Sequence, residues 1–218
     1  MSTDLATILQ SANALSNVDD KQFSELAKTS DYLCRIQLCG ANSELVKSGK
    51  IPMAHWVYMS DKENPVDLGP EFELLPLSLR ACASSLGGEK VITVYDMNDA
   101  LFQEFKDKSA VKDSQCVYGP EFLVYIPSID KFATYHMNSI TARKESPKLK
   151  ALLGKGALLK AKYIKTAKYS WHGPDIYPCS TPLKTPETDT IMSTVNKFLN
   201  PPKSEVVAAP ADTSARER

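Results

Sequence analysis

Residues 143–174 read RKESPKLKALLGKGALLKAKYIKTAKYSWHGP, and this stretch carries the strongest pattern in the chain. It contains nine basic side chains and one acidic side chain, Glu145, so its net charge is +8. The whole chain of 218 residues is balanced, with 26 basic and 26 acidic residues, and the remainder is therefore acidic. Such a separation of charge indicates a surface that attracts an anionic partner.

The stretch divides into three local structures. Leucines at helical spacing predict a helix over 146–153. A Gly-Lys-Gly turn at 154–156 separates this helix from residues 158–164, LLKAKYI, whose alternation is typical of a half-buried strand. The alternation places Lys160 and Lys162 on one face, where we expect them to point outward.

Aromatic residues accompany the lysines and follow the strand. Lysines beside tyrosine and tryptophan supply the two ingredients of single-strand nucleic-acid binding, a cationic groove for the phosphates and flat rings on which bases stack. A Gly-Pro turn at 173–174 is expected to hold Trp171 at the end of the strand. A solvated strand face whose lysines block aggregation explains the same pattern. The candidate nucleic-acid-binding residues are Arg143, Lys144, Lys155, Lys160, Lys162, Tyr163, Lys165, Lys168, Tyr169 and Trp171.

The composition is that of an ordinary soluble globular protein, with 43% hydrophobic and 24% charged residues. No apolar run approaches the ~20 residues that a membrane span needs, and the N-terminus has no basic segment of a secretory signal. The five cysteines are scattered without a C-x2-C pair, which disfavours a disulfide scaffold and a zinc site. We therefore expect a cytoplasmic protein without a metal, a cofactor or a membrane partner.

The rest of the chain predicts six or seven strands interrupted by one helix. Residues 91–95 (VITVY) and 122–126 (FLVYI) are short apolar strands, and a turn joins the second to 132–137 as a hairpin. Residues 72–82 form a long extended run in which Pro76 indicates an edge or a bulge. The predicted fold class is α+β, with a strongly bent antiparallel sheet or a partly open oligonucleotide-binding (OB) barrel and peripheral helices.

Three segments follow from this pattern. Residues 1–31 predict a helical appendage, and residues 32–200 predict a single α+β barrel-like domain. Residues 201–218 predict a disordered tail, because they hold too few large apolar side chains to offset the entropy of ordering them.

The order of elements and the Lys/Tyr/Trp strand resemble the single-stranded-DNA-binding proteins of OB-barrel type encoded by bacteriophages. The resemblance covers about residues 32–180 and is one of architecture: a lone barrel with appended helices, a basic aromatic strand and a loose tail. It implies a non-enzymatic viral protein that binds single-stranded DNA in replication or recombination, in the host cytoplasm. Residues 203–218 carry three bases and three acids, which departs from the acidic partner-recruiting tail that such proteins often have.

Two other classes of function stay open. A structural or protein-interaction component, such as a virion or accessory protein, would use the same basic face on an acidic partner or on a second copy. An enzyme would need a site assembled from scattered residues, because no P-loop, dinucleotide-binding, zinc-protease or serine-hydrolase motif occurs. We expect no catalytic residue and no enzymatic activity. Self-association and contact with replication proteins are left open.

Overall fold

A computed structural model describes residues 33–60, 64–87, 91–111 and 113–201 of the chain. Within these ranges the backbone forms nine strands and four helices, which confirms the predicted α+β class. The strands are β1 (Ile36–Leu38), β2 (Trp56–Tyr58), β3 (Val66–Gly69), β4 (Glu71–Ser85), β5 (Ile92–Val94), β6 (Cys116–Ile126), β7 (Lys131–His136), β8 (Ala157–Lys165) and β9 (Ser170–Pro178). The helices are α1 (Glu44–Lys47), α2 (Ala100–Lys108), α3 (Ile140–Ala151) and α4 (Thr188–Leu199).

The strands lie in two antiparallel sheets. The smaller sheet has the order β1-β2-β3, and the larger one has the order β7-β6-β4-β8-β9, with β5 paired to β4. A parallel bridge between Arg35 and Thr134 joins the small sheet to β7, and β1 also lies close to β9. Among the described residues neither sheet closes on itself through hydrogen bonds, so the structure gives an antiparallel α+β fold with two open sheets.

The chain separates into two compact units. The first comprises the described residues up to Arg80 together with Pro120–Pro201, and it holds all ten candidate binding residues. The second, Ala81–Gly119, packs Phe102 and Phe105 of α2 against Ala83 of β4.

Several predictions about the ends of the chain fall outside the described residues. The helical appendage, 1–31, and the tail beyond residue 201 belong to the parts that the structure does not describe, and the 32–200 boundary stays a prediction.

No helix within the described ranges is long and apolar enough to cross a membrane. The five cysteines, all of which lie in the described ranges, form no disulfide bond there.

The core of the first unit is built on alternating faces of β4 and β6. One face carries Phe72, whose ring lies 5.6 Å from that of Trp56, and the Trp56 ring in turn lies 5.5 Å from that of Tyr135. The other face carries Leu75 and other apolar residues that pack against α4. Residues 74–77 of β4 and 122–126 of β6 are covered on both faces, and these two segments are continuous apolar runs for that reason.

A buried arginine fixes α4 to the sheet. Arg80 of β4 forms an ion pair with Glu121 of β6, with N–O distances of 2.7 and 2.8 Å, and both side chains are nearly nine-tenths buried. The same guanidinium donates to the carbonyl of Phe198 at the end of α4 and lies 4.1 Å above the Phe198 ring. It therefore satisfies one of the carbonyls that the last turn of a helix leaves without a partner.

Helix α3 begins six residues earlier than the sequence pattern predicts. The Ser139 side chain accepts a hydrogen bond from the Ala142 amide, which caps the helix at its N-terminus. Pro147 lies inside the helix and has no N–H for the Arg143 carbonyl, but the Ser146 hydroxyl donates to that carbonyl at 2.8 Å. The sequence pattern does not reveal the first turns because they bury only Ala142 and so carry no apolar stripe.

We expect Arg80→Met to lower the free energy of unfolding by about 3–5 kcal/mol, because it leaves the buried Glu121 carboxylate without its cation. Urea denaturation measures the change. Glu104→Ala, which removes the exposed Glu104–Lys108 pair on α2, is the control and should leave the midpoint nearly unchanged. A similar loss of stability in both variants would contradict the role given to Arg80.

Candidate nucleic-acid interface

The hairpin of β8 and β9 extends beyond the sheet that carries it. Strand β4 pairs with β8 only from Leu74, opposite Ala157, to Glu71, opposite Lys160. The Ala161 amide makes one further bond, to the carbonyl that precedes β4. Strands β8 and β9 stay paired up to residues 165 and 170. Residues 162–173 therefore form a two-stranded arm, which we call the arm below.

The turn at the end of the arm is ordered by one threonine. The Thr166 amide and hydroxyl both donate to the Tyr169 carbonyl, at 2.8 and 3.0 Å, and the Tyr169 amide donates to the Thr166 hydroxyl at 3.1 Å. Lys165, Lys168 and Tyr169 are exposed around this turn. The turn thus presents two cations and a ring at a defined position.

The prediction of a turn at 173–174 is wrong, because Gly173 and Pro174 lie inside β9. A Cβ atom on Gly173 would lie 2.6 Å from the Thr141 Cγ2 atom and 3.0 Å from the Ile164 Cδ1 atom. Glycine is therefore required here by the close approach of α3, and not by a change of chain direction. Pro174 is tolerated because β9 is an edge strand.

Lys160 and Lys162 point outward, but each already has an acidic partner. The Lys160 ammonium lies 2.7 Å from the Glu71 carboxylate of β4, and this hydrogen bond raises the pKa of Lys160. The Lys162 ammonium lies 3.3 Å from the Asp175 carboxylate of β9. These two lysines therefore present less free positive charge than the sequence suggests.

Asp175 is the centre of this charge network. Its carboxylate is buried and accepts a hydrogen bond from the Tyr177 hydroxyl at 2.7 Å, with Lys162 at 3.3 Å and Lys148 of α3 at 3.5 Å. Burial alone would raise the pKa of Asp175, but the hydrogen bonds from Tyr177 and Lys162 and the charges of both lysines lower it below its ordinary value. Asp175 therefore stays ionised and ties α3 to the hairpin.

The remaining lysines of the predicted site lie apart from acids. Within the described ranges no carboxylate oxygen lies within 4.0 Å of the ammonium groups of Lys144, Lys155, Lys165 or Lys168. Lys165 and Lys168 belong to the arm and its turn. Lys144 and Arg143 lie in the first half of α3, whose Thr141 contacts the arm.

Lys155 is not brought to the arm. It precedes β8, at the opposite end of that strand, roughly 30 Å along the chain from Lys165. It lines a cleft of about 560 Å³ with residues such as Cys179. Burial, followed by the nearby Glu73 carboxylate, raises the pKa of Cys179 to about 11, so this thiol stays protonated at neutral pH.

Three large aromatic side chains are exposed on the arm. Tyr163 is 57% exposed, Tyr169 is 73% exposed and Trp171 is 39% exposed. The Trp171 indole N–H donates to the Thr141 hydroxyl of α3 at 3.2 Å. These rings form no part of the buried core.

His172 is a member of this aromatic group that the sequence-based site omitted. It lies opposite Tyr163 in the hairpin register, and the two ring centroids are 5.3 Å apart. The pairing follows from the turn at 166–169, since an antiparallel hairpin that turns there places 163 opposite 172. The sequence analysis placed the turn at 173–174 and therefore did not predict that Tyr163 and His172 are paired.

The described residues contain no cluster of three or more histidine, cysteine, aspartate or glutamate side chains that could hold a metal ion. The chemistry of the arm is that of exposed rings and ammonium groups. Such groups bind anionic and aromatic ligands through stacking and charge.

We expect Asp175 to stabilise the fold in a pH-dependent way. Its pKa is lowered in the folded state, so its contribution is present above the ordinary carboxyl pKa of about 4 and is lost as the pH falls through the folded value. The difference in melting temperature between the parent and Asp175→Asn should be largest above about pH 5 and should shrink towards about pH 2.

Asp107→Asn is the matched control, since Asp107 is exposed and forms no ion pair within the described ranges. Its melting temperature should follow that of the parent across this pH range. A parent–Asp175→Asn difference that is independent of pH would contradict the role of the ionised carboxylate.

The chain matches no family model, no curated protein and no solved structure. Neither a relative nor a structural neighbour therefore assigns a function to the arm. What this surface binds has to be inferred from its geometry and its charge.

Proposed function

We propose that the protein binds single-stranded nucleic acid through the arm. The observation that carries this proposal is the pair of highly exposed rings, Tyr163 and Tyr169, beside Lys165 and Lys168, which have no carboxylate partner within the described ranges. Each stacked base contributes about 1–3 kcal/mol in single-strand complexes, and lysines neutralise the phosphates between the bases. Basic residues at the start of α3 extend the positive charge along the adjoining helix.

The order of the strands supports the finer fold proposal, a partly open OB-like barrel. The path β7-β6-β4-β8-β9 follows a Greek key in which β4, β6 and β7 are the first three strands and β8 and β9 the last two. Helix α3 connects the third strand to the fourth, and β1 lies near both free edges, β7 and β9. On this assignment the turn at 166–169 is the loop between strands four and five, which binds oligonucleotides in OB domains.

The proposed ligand is single-stranded DNA, and the proposed role is that of a non-enzymatic accessory protein in phage-type replication or recombination. The proposal assigns binding, and no catalytic step, to the side chains of the arm. Unpaired bases are required because the arm offers rings for stacking, whereas the bases of a duplex are already stacked on one another.

The first test compares oligo(dT) with a duplex of the same length over a series of salt concentrations. We expect the single strand to bind more tightly at each concentration, and the logarithm of its affinity to fall linearly with the logarithm of the salt concentration. An electrophoretic shift series measures both. Equal or tighter binding of the duplex would contradict the proposal.

The second test separates the unpaired lysines from the paired ones. Lys165→Gln combined with Lys168→Gln should reduce the slope of log affinity against log salt by about 1.4, which is about 0.7 for each phosphate that the protein no longer neutralises. Lys160→Gln combined with Lys162→Gln removes the same charge from the same hairpin and should change the slope less, because Glu71 and Asp175 already neutralise these lysines.

An equal change of slope in the two double variants would contradict the assignment of the binding surface to the arm.

Polyglutamate serves as a competitor that tests the alternative of a protein partner. Competition by polyglutamate as strong as that by oligo(dT) would favour an acidic protein as the partner of the basic face.

A further inference from the structure

The arm has two faces with different side chains. Because strand residues alternate in direction and opposite residues share a face, Tyr163, Lys165, Ser170 and His172 lie on one face. Lower in the same hairpin this face carries Leu159 and Ile176, which are buried in the core. We call it the inner face.

The opposite face, called the outer face, is occupied by α3 and by ion pairs. It carries Trp171, whose indole N–H is bonded to Thr141, and Gly173, against which Thr141 packs. It also carries Lys162, paired with Asp175. A ligand on this face would compete with contacts that the protein makes with itself.

The inner face has no such competition among the described contacts. The Tyr163 and His172 rings adjoin each other at 5.3 Å with an interplanar angle of 52°, and Tyr163 remains 57% exposed. Lys165 follows on the same face without a carboxylate partner within the described ranges. The ring pair can stack on a base, and the neighbouring ammonium group can bind the phosphate of the same nucleotide.

We propose that the unpaired base of the ligand stacks on the Tyr163–His172 pair of the inner face, with its phosphate at Lys165, and that Trp171 is a brace that holds the arm to α3. This inference rests on the proposed function and refines it by dividing the exposed rings between two roles. It places the ligand on a single face of the arm, and it makes His172 a binding residue.

The roles predict different effects of replacing each ring. Tyr163→Ala and His172→Ala should each weaken binding of oligo(dT) by about 5- to 160-fold, the range expected when one stacked base loses its platform. Trp171→Leu keeps an apolar contact with α3 without a ring and should bind within about 3-fold of the parent. Tyr177→Ala, on the outer face of the same hairpin, is the matched control and should also bind like the parent.

Tryptophan fluorescence gives a second readout. The chain has two tryptophans, and Trp56 is fully buried, so a ligand in contact with an indole ring would quench Trp171. We expect little quenching of Trp171 by saturating oligo(dT), because the base lies on the other face. Thermal melts should show whether each variant is folded. If His172→Ala melts at a lower temperature than the parent, Tyr163→Ala alone decides the outcome, because Tyr163 is exposed.

Binding by Tyr163→Ala at the parent affinity, a weakening in Trp171→Leu as large as in Tyr163→Ala, or strong quenching of Trp171 each overturns the inference while leaving the proposed function intact. A parent protein that binds no oligonucleotide at low salt overturns the proposed function and the inference together. Weak binding by Tyr163→Ala with near-parent binding by Trp171→Leu supports both.

Discussion

The break at Gly69-Pro70 determines where the arm begins. Gly69 ends β3 with a φ of +84°, a conformation that glycine adopts without strain, and its amide is held by the Asp67 carboxylate at 2.8 Å. Pro70 follows with no amide hydrogen, and β4 starts only at Glu71. Among the described residues, β8 therefore makes no hydrogen bond to β4 or Pro70 beyond Ala161, whereas its pairing with β9 continues to Lys165. The length by which the hairpin exceeds β4 is the length of the arm.

An isolated two-stranded hairpin is only marginally stable in water, so the arm needs support from outside the sheet. Helix α3 supplies it through the close packing of Thr141 on Gly173 and the hydrogen bond from Trp171. Near the start of the arm, the buried Asp175 carboxylate joins Lys148 of α3 to Lys162 of β8. These interactions lie on the outer face, which leaves the inner face of the arm accessible to a ligand.

Part of the positive charge of the basic stretch is neutralised by acidic residues in the folded protein. In the sequence, residues 143–174 contain one acid in thirty-two positions. In the fold, Glu71 and Asp175, the first of them far away in sequence, come within ion-pair distance of the strand lysines. Lys165 and Lys168 at the turn keep their charge without a carboxylate partner within the described ranges. The proposed site is therefore smaller and more sharply placed than the charge run indicates.

The sequence by itself determined the α+β class, the basic stretch and its aromatic residues, because hydrophobic periodicity, composition and charge are local properties of the chain. It predicted a turn at 173–174 that is not there, because a Gly-Pro pair occurs both where the chain reverses direction and where a strand packs closely against a helix. Only the tertiary structure decided that Tyr163 lies against His172, that Lys160 and Lys162 are paired with acids, and that Trp171 faces α3. Each of these depends on strand register, and the contacts with Glu71 and Thr141 also depend on residues distant in sequence. Shifting the register by one residue would exchange the two faces of the arm.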